Sequence, residues 1–169
     1  MEAEILELAA RLGEEALKRG AVLATAESCT AGGISFAITA VPGSSAWFDR
    51  GFVTYTPESK EEMLGVRRDV IATHGVVSEE VARSMAEGAV ARSRATIAVS
   101  VTGIAGPGGA EPGKPVGTVC FGFARKGGNT VSSVSFTGHF PGDRGEVRDA
   151  VVRQALLVLL DTLRSKSSS

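Results

Sequence analysis

Short apolar runs alternate with helical segments through the first two-thirds of this chain, and that alternation restricts the possible folds more than any other feature. Ala21 to Ala26, Trp47 to Tyr55 and Thr96 to Thr102 each read as a strand bounded by glycine, proline or polar residues. Helices fill the gaps. The first spans about 3–19, where Ile5, Leu8, Ala9, Leu12 and Ala16 recur at helical spacing and Gly20 supplies a stop. A second covers about 30–40 and is ended by Pro42-Gly43. Thr56-Pro57-Glu58 provides an N-cap, a first-position proline and an acidic first turn for a helix through Leu64, and a short helix follows at about 69–73. Ser78-Glu79-Glu80 opens another, with Val81, Ala82, Met85, Ala86, Ala89 and Val90 on its apolar face.

After the third strand the pattern changes. Thr102 to Pro115 holds five glycines and three prolines in fourteen residues, too many for regular structure. Val116 to Ala124 and Thr130 to Thr137 then flank Arg125-Lys126-Gly127-Gly128-Asn129, a hairpin signal. Asp143 with Glu146 three residues on starts a long apolar helix to about Leu163. The expected fold is α/β: a three-layer α/β/α sandwich around a mixed, about five-stranded sheet whose fourth strand is antiparallel, with function at the loops beyond the strand C-termini. At 169 residues and 43% apolar, one domain over 1–169 is expected, with a frayed tail from about 165.

Composition narrows the partners. A net charge of −1, with 18 basic residues dispersed along the chain, gives no sign in the sequence of a nucleic-acid or membrane-binding surface, and no apolar run is long enough to span a bilayer. Cys29 and Cys120 form no C-x-x-C pair, and no charged-then-apolar leader precedes the first helix, so a cytoplasmic protein is expected. His74 and His139 offer no zinc spacing with them, and no metal or cofactor is indicated. A small-molecule ligand fits best. Apolar residues on nearly every side of the last helix suit either a homodimer, the favoured form, or a central core helix.

Ser28 lies between the first strand and a glycine-bearing helix start, where free amides can stabilise an oxyanion, so it is either a nucleophile or an ordinary cap. Lys60 falls in the first turn of its helix, where the macrodipole opposes a cation. If also desolvated, it could fall from about 10.4 toward neutrality and act as a base; otherwise it is a solvated surface lysine. Arg144 repeats the anomaly at the start of the last helix. With amides of Gly103 and Gly106 it could hold a phosphate, or it pairs with Asp143 or Glu146. The glycine loop is neither a Walker motif nor a dinucleotide fingerprint. Cys29 is a rival nucleophile, with Glu27 and Lys60 completing an amidase triad, or a buried filler.

Several motifs in order also resemble a known family. They are A-E-S-C-T-A-G-G at Ala26 to Gly33; Ser44-Ser45-Ala46-Trp47-Phe48 leading to G-F-V-T-Y, with Lys60 five residues beyond; and G-V-V-S-E at Gly75 to Glu79. T-G-I-A-G-P-G-G from Thr102, K-P-V-G-T-V at Lys114 to Val119 and F-P-G-D-R at Phe140 to Arg144 complete the set. Together, over nearly the whole chain, they resemble the C-terminal domain of competence/damage-inducible protein CinA, the PncC-type amidohydrolase family. The resemblance implies a stand-alone enzyme that deamidates nicotinamide mononucleotide to nicotinate mononucleotide and ammonia. It further implies Ser28 as nucleophile, Lys60 as base, Tyr55 as a hydrogen-bonding member of the catalytic set, Thr102 as a contact at the loop mouth and Arg144 as a substrate-binding cation. Amides near Thr30, Gly32 and Gly33 would form the oxyanion hole, and Glu27 would orient Lys60, face the pyridinium or serve as a cap. Two other readings stay open: a non-catalytic nucleotide-binding or regulatory module, and an amidase for a different amide.

Overall fold

The computed structural model describes residues 1–165. Its elements are α1 (Ala3–Arg19), β1 (Leu23–Glu27), α2 (Gly33–Thr39), β2 (Phe48–Val53), α3 (Pro57–Leu64), α4 (Arg68–His74), α5 (Glu79–Ala91), β3 (Ile97–Gly103), β4 (Thr118–Gly127), β5 (Thr130–His139) and α6 (Arg144–Arg164). The sheet order is β2-β1-β3-β4-β5. β1 runs parallel to β2 and β3, as helical crossovers require, whereas the loop between Gly103 and Thr118 and the turn at Gly128-Asn129 each reverse the chain, so β4 is antiparallel to both β3 and β5. The mixed five-stranded sheet expected from the sequence is the one observed.

Period-two alternation sorts the strand residues between two cores. Leu23, Ile97, Val99, Val101, Phe121 and Phe123 join α1, α2 and α6 in one, with Leu12, Ile34, Ile38, Trp47, Leu156 and Leu159 buried among them. Ala24, Ala26, Ala98 and Ala124 face the other way, against Leu64, Val81, Met85, Ala86 and Ala89 of α3 and α5. The small side chains on this second face let α5 approach closely, and Ser100 Oγ donates to the Ala82 carbonyl at 2.5 Å. The apolar faces foreseen for α1 and α5 are the buried ones. For α6, packing against α1, α2 and the sheet accounts for most of its apolar residues, although Leu157 is partly exposed.

Boundaries moved where the backbone could not follow the sequence pattern. β1 runs on to Glu27, and α2 begins at Gly33, three residues later than expected. Ala31 (φ 47°) and Gly32 (φ 96°) lie in the left-handed region, which cannot continue a right-handed helix. The hairpin loop shrinks from five residues to two because β4 extends through Gly127. Of the expected frayed tail, 166–169 fall outside the described residues; Ser165 continues the α6 pattern, its amide donating to the Asp161 carbonyl.

Parallel pairing levels the strand ends. Glu27 lies beside Val53 on one side and Val101 on the other, so the residues that follow, Ser28, Thr54 and Thr102, share one rim. The close α3–α5 contact sets the depth of α3 at that rim. A Cβ added at Gly88 of α5 would collide with the Leu64 carbonyl at the end of α3. Gly88→Ala should therefore destabilise the protein by about 1–3 kcal/mol through overpacking, read from urea denaturation, and lower activity beyond that loss by displacing the helix that carries Lys60.

Candidate active site

The alternation that orders the sheet also divides Glu27 from Ser28. Thr25 and Glu27 face α2, whereas Ala24, Ala26 and then Ser28 face the α3 layer. Ser28 is held by its own backbone: its amide donates to the Val101 carbonyl at 3.1 Å, and its carbonyl accepts from Ala31 at 3.1 Å. Across the rim, Thr56 and Ser59 close a reciprocal capping box that fixes the first turn of α3 and places Lys60 one residue beyond it. The Lys60 side chain runs inward and is fully buried, 0% exposed. Its Nζ lies 2.9 Å from Ser28 Oγ and donates to the Thr54 carbonyl at 2.7 Å.

Burial has a direct electrostatic consequence. The Lys60 ammonium has lost water and, among the described residues, has no carboxylate within salt-bridge distance, so desolvation lowers its pKa to about 8 despite a small opposing influence from Cys29. Cys29, next to Ser28 and 5% exposed, moves the other way: loss of hydration raises its thiol to about 11. Near neutral pH the amine is thus partly available as a base, while the thiol stays protonated.

Glu27 is the most heavily bonded side chain at the site. It is fully buried, and its Oε1 accepts from Thr30 Oγ1 at 2.7 Å and the Ile34 amide at 2.8 Å. Oε2 accepts from the Ser35 amide at 2.9 Å, Ser35 Oγ at 2.7 Å and Thr25 Oγ1 at 3.3 Å. All five donors belong to β1, α2 and the turn between them. Of the three roles considered for Glu27, these bonds are those of the cap, and none of them reaches Lys60. The same bonds engage the first two amides after Gly33, and the Gly33 amide itself donates to the Thr30 carbonyl at 2.9 Å. Among the described residues the amides of Thr30 and Gly32, unlike that of Gly33, have no backbone acceptor.

Beside Ser28 is a cavity of about 200 Å³ lined by Ser28, Cys29, Tyr55, Val76, Thr102, Gly103, Ala105 and Arg144. Thr102 is fully buried and donates to the Val76 carbonyl at 3.0 Å. Arg144 crosses the mouth. Its Nη1 donates to the Gly106 carbonyl at 2.8 Å and its Nη2 to Tyr55 Oη at 2.9 Å, the phenol itself being exposed. The expected alternative, a pair with Asp143 or Glu146, does not form because those two residues cap α6 reciprocally. The structure thus brings Ser28, Lys60, Tyr55, Thr102, Gly103 and Arg144 to one place. Gly106 offers its carbonyl to Arg144 and is not on the cavity wall. A larger hollow, about 550 Å³, lies on the α5 side and contains His74, Glu79, Lys114 and His139, but neither Ser28 nor Lys60.

Sequence reasoning missed Thr54, Val76 and Ala105. The Thr54 carbonyl was legible in principle, because strand register puts it level with Ser28; Val76 and Ala105 sit in connections whose path no local pattern specifies.

The family model of the CinA C-terminal domain matches residues 5–163. This chain belongs to that family. A nicotinamide-nucleotide amidohydrolase PncC from Shigella flexneri is 48% identical over 162 residues, covering 96% of this chain and 94% of that protein. The PncC of Pseudomonas putida is 47% identical over 94% of each. Among solved structures, the competence/damage inducible protein CihA of Agrobacterium tumefaciens superposes with a TM-score of 0.89 at 44% identity, covering 98% of both chains. The CinA-family fold is therefore common to this chain and its relatives.

If Glu27 acts only by holding the turn, Glu27→Gln should destabilise the protein by at least about 3 kcal/mol, since an amide nitrogen would face backbone donors that now meet an acceptor. Residual activity should keep its pH midpoint. Denaturation and a pH profile of the same preparation check this, and a shifted midpoint at full stability would mean that Glu27 acts on Lys60.

Proposed function

We propose that this chain hydrolyses the carboxamide of nicotinamide mononucleotide, giving nicotinate mononucleotide and ammonia, with Ser28 as the nucleophile and Lys60 as its base. The observation that carries the reading is the 2.9 Å contact between a serine hydroxyl and a fully buried lysine amine. Full-length similarity to PncC enzymes supports the substrate.

In the first step uncharged Lys60 Nζ takes the Ser28 proton as Oγ bonds to the carboxamide carbon. The carbonyl oxygen becomes an oxyanion beside the Thr30 and Gly32 amides, an interaction whose removal typically costs about 3–4 kcal/mol of transition-state stabilisation. As the tetrahedral adduct collapses, the C–N bond breaks and Lys60 returns the proton to nitrogen, which leaves as ammonia. Water then attacks the ester, its proton passing to Lys60. Cleavage of the acyl–Oγ bond releases nicotinate mononucleotide, and Lys60 reprotonates Ser28. Thr54 gives the amine a fixed acceptor through both half-reactions. Tyr55 and Arg144 close the mouth, the phenol holding the guanidinium where the anionic end of the substrate would meet it.

Ser28→Ala should lower ammonia release by at least about 1000-fold, while Cys29→Ala retains most of it; the reverse pattern would transfer the nucleophile to Cys29. Because the base must be uncharged, kcat/KM should rise tenfold per pH unit below about 8 and level off above it. A profile flat from pH 6 to 9, or falling through 8, would contradict Lys60 as the base.

A further inference from the structure

Arg144 is not the only cation that α6 directs toward this rim. Arg148 lies one turn further on the same helical face, half-buried, with Nη2 3.4 Å from the Thr30 carbonyl. Val152, the next residue along that stripe, lies within contact range of a Cβ built at Gly33, so the stripe overlies the turn that carries Ser28. The Arg148 charge is also felt at Cys29, which lines the cavity.

The two arginines form an unfavourable arrangement in the free protein. Like charges four residues apart on a helix repel, and both stand in the first turns of α6, at the positive end of its macrodipole. Among the described residues neither guanidinium lies within salt-bridge distance of a carboxylate: Arg144 meets a carbonyl and a phenol, Arg148 a carbonyl. The nearby acids are engaged elsewhere. Asp143 and Glu146 cap the helix, and Glu27 faces α2. Elsewhere on the same helix, Arg153 does pair with carboxylates, those of Glu2 and Glu4. Arg144 lines the cavity and Arg148 follows it one turn on, at the Thr30 carbonyl; two neighbouring cations left without carboxylates among the described residues suit a doubly charged anion, whose several acceptor oxygens match guanidinium donors.

We propose that Arg148 is a second phosphate-binding residue, forming with Arg144 a clamp that selects the nucleotide over the uncharged nucleoside. The inference rests on the proposed function and adds to it the residue that sets selectivity for the phosphate.

Arg148→Met, which keeps the stem and removes the charge, should raise KM for nicotinamide mononucleotide at least tenfold with kcat changed less than threefold. Turnover of nicotinamide riboside, which presents the same amide without phosphate, should change less than twofold. In a Ser28→Ala background, calorimetry should show the same tenfold loss of mononucleotide affinity, and Arg148→Lys should restore part of it. Equal losses on both substrates would make Arg148 a structural support of the Ser28 turn, and unchanged mononucleotide affinity would remove it from the site; either result overturns the clamp while leaving the amidase reading intact. Wild-type protein that neither binds nor hydrolyses the mononucleotide would overturn both.

Discussion

An amine taken out of water with no counter-charge beside it among the described residues is the constraint around which this structure is arranged. Lysine is among the residues least often buried, and the cost of burying its charge falls when the group becomes neutral. In the proposed mechanism the neutral form has a use, because among the described residues the side-chain acceptor at Nζ is a serine hydroxyl. The fold sustains the arrangement from several directions. A capping box fixes the turn of α3 from which Lys60 departs, the α5 contact sets the depth of that helix, and the end of β2 supplies a carbonyl for the amine. On the opposite side of β1, Glu27 fastens the turn that carries Ser28 to α2.

Charge placement follows a single scheme. Carboxylates at the rim are engaged in capping: Glu27 at α2, and Asp143 with Glu146 at α6. Cations stand at helix starts, where backbone dipoles oppose them: Lys60 just past the first turn of α3, Arg144 and Arg148 in the first turns of α6. Each such cation costs the free protein stability. In the proposed mechanism each becomes favourable or functional, Lys60 by losing its proton and the arginines by gaining an anion. This is the expected trade between stability and function at a preorganised site.

Much of the fold was legible in the sequence because its signals are local. Thr56-Pro57, Ser78, Asp143 with Glu146 and the hairpin glycines act within a few residues, and each element they bound is present. The start of α2 was not legible, since Ala31 and Gly32 adopt left-handed conformations that only the bonded context of Glu27 and the turn specifies. At the site, position singled out Ser28, Lys60 and Arg144, a hydroxyl at a strand end and cations at the wrong end of helices, while each kept a structural alternative and the family resemblance supplied the roles. What position alone left open was partnership. Whether Glu27 faced Lys60 or α2, and whether Arg144 paired with its neighbours or crossed the cavity, depends on which face of a strand or helix turn each side chain leaves from. Those faces are fixed by the register of β1 against β2 and β3, a long-range property.

The protonation state of one nitrogen tests the account most directly. Protein labelled with ¹³C at lysine Cε, titrated by NMR from pH 6 to 11 and assigned by the signal missing in Lys60→Met, should show Lys60 changing charge near pH 8. A Lys60 resonance that titrates with the surface lysines would mean that the buried amine remains charged beside Ser28 at neutral pH, and would contradict its role as the base.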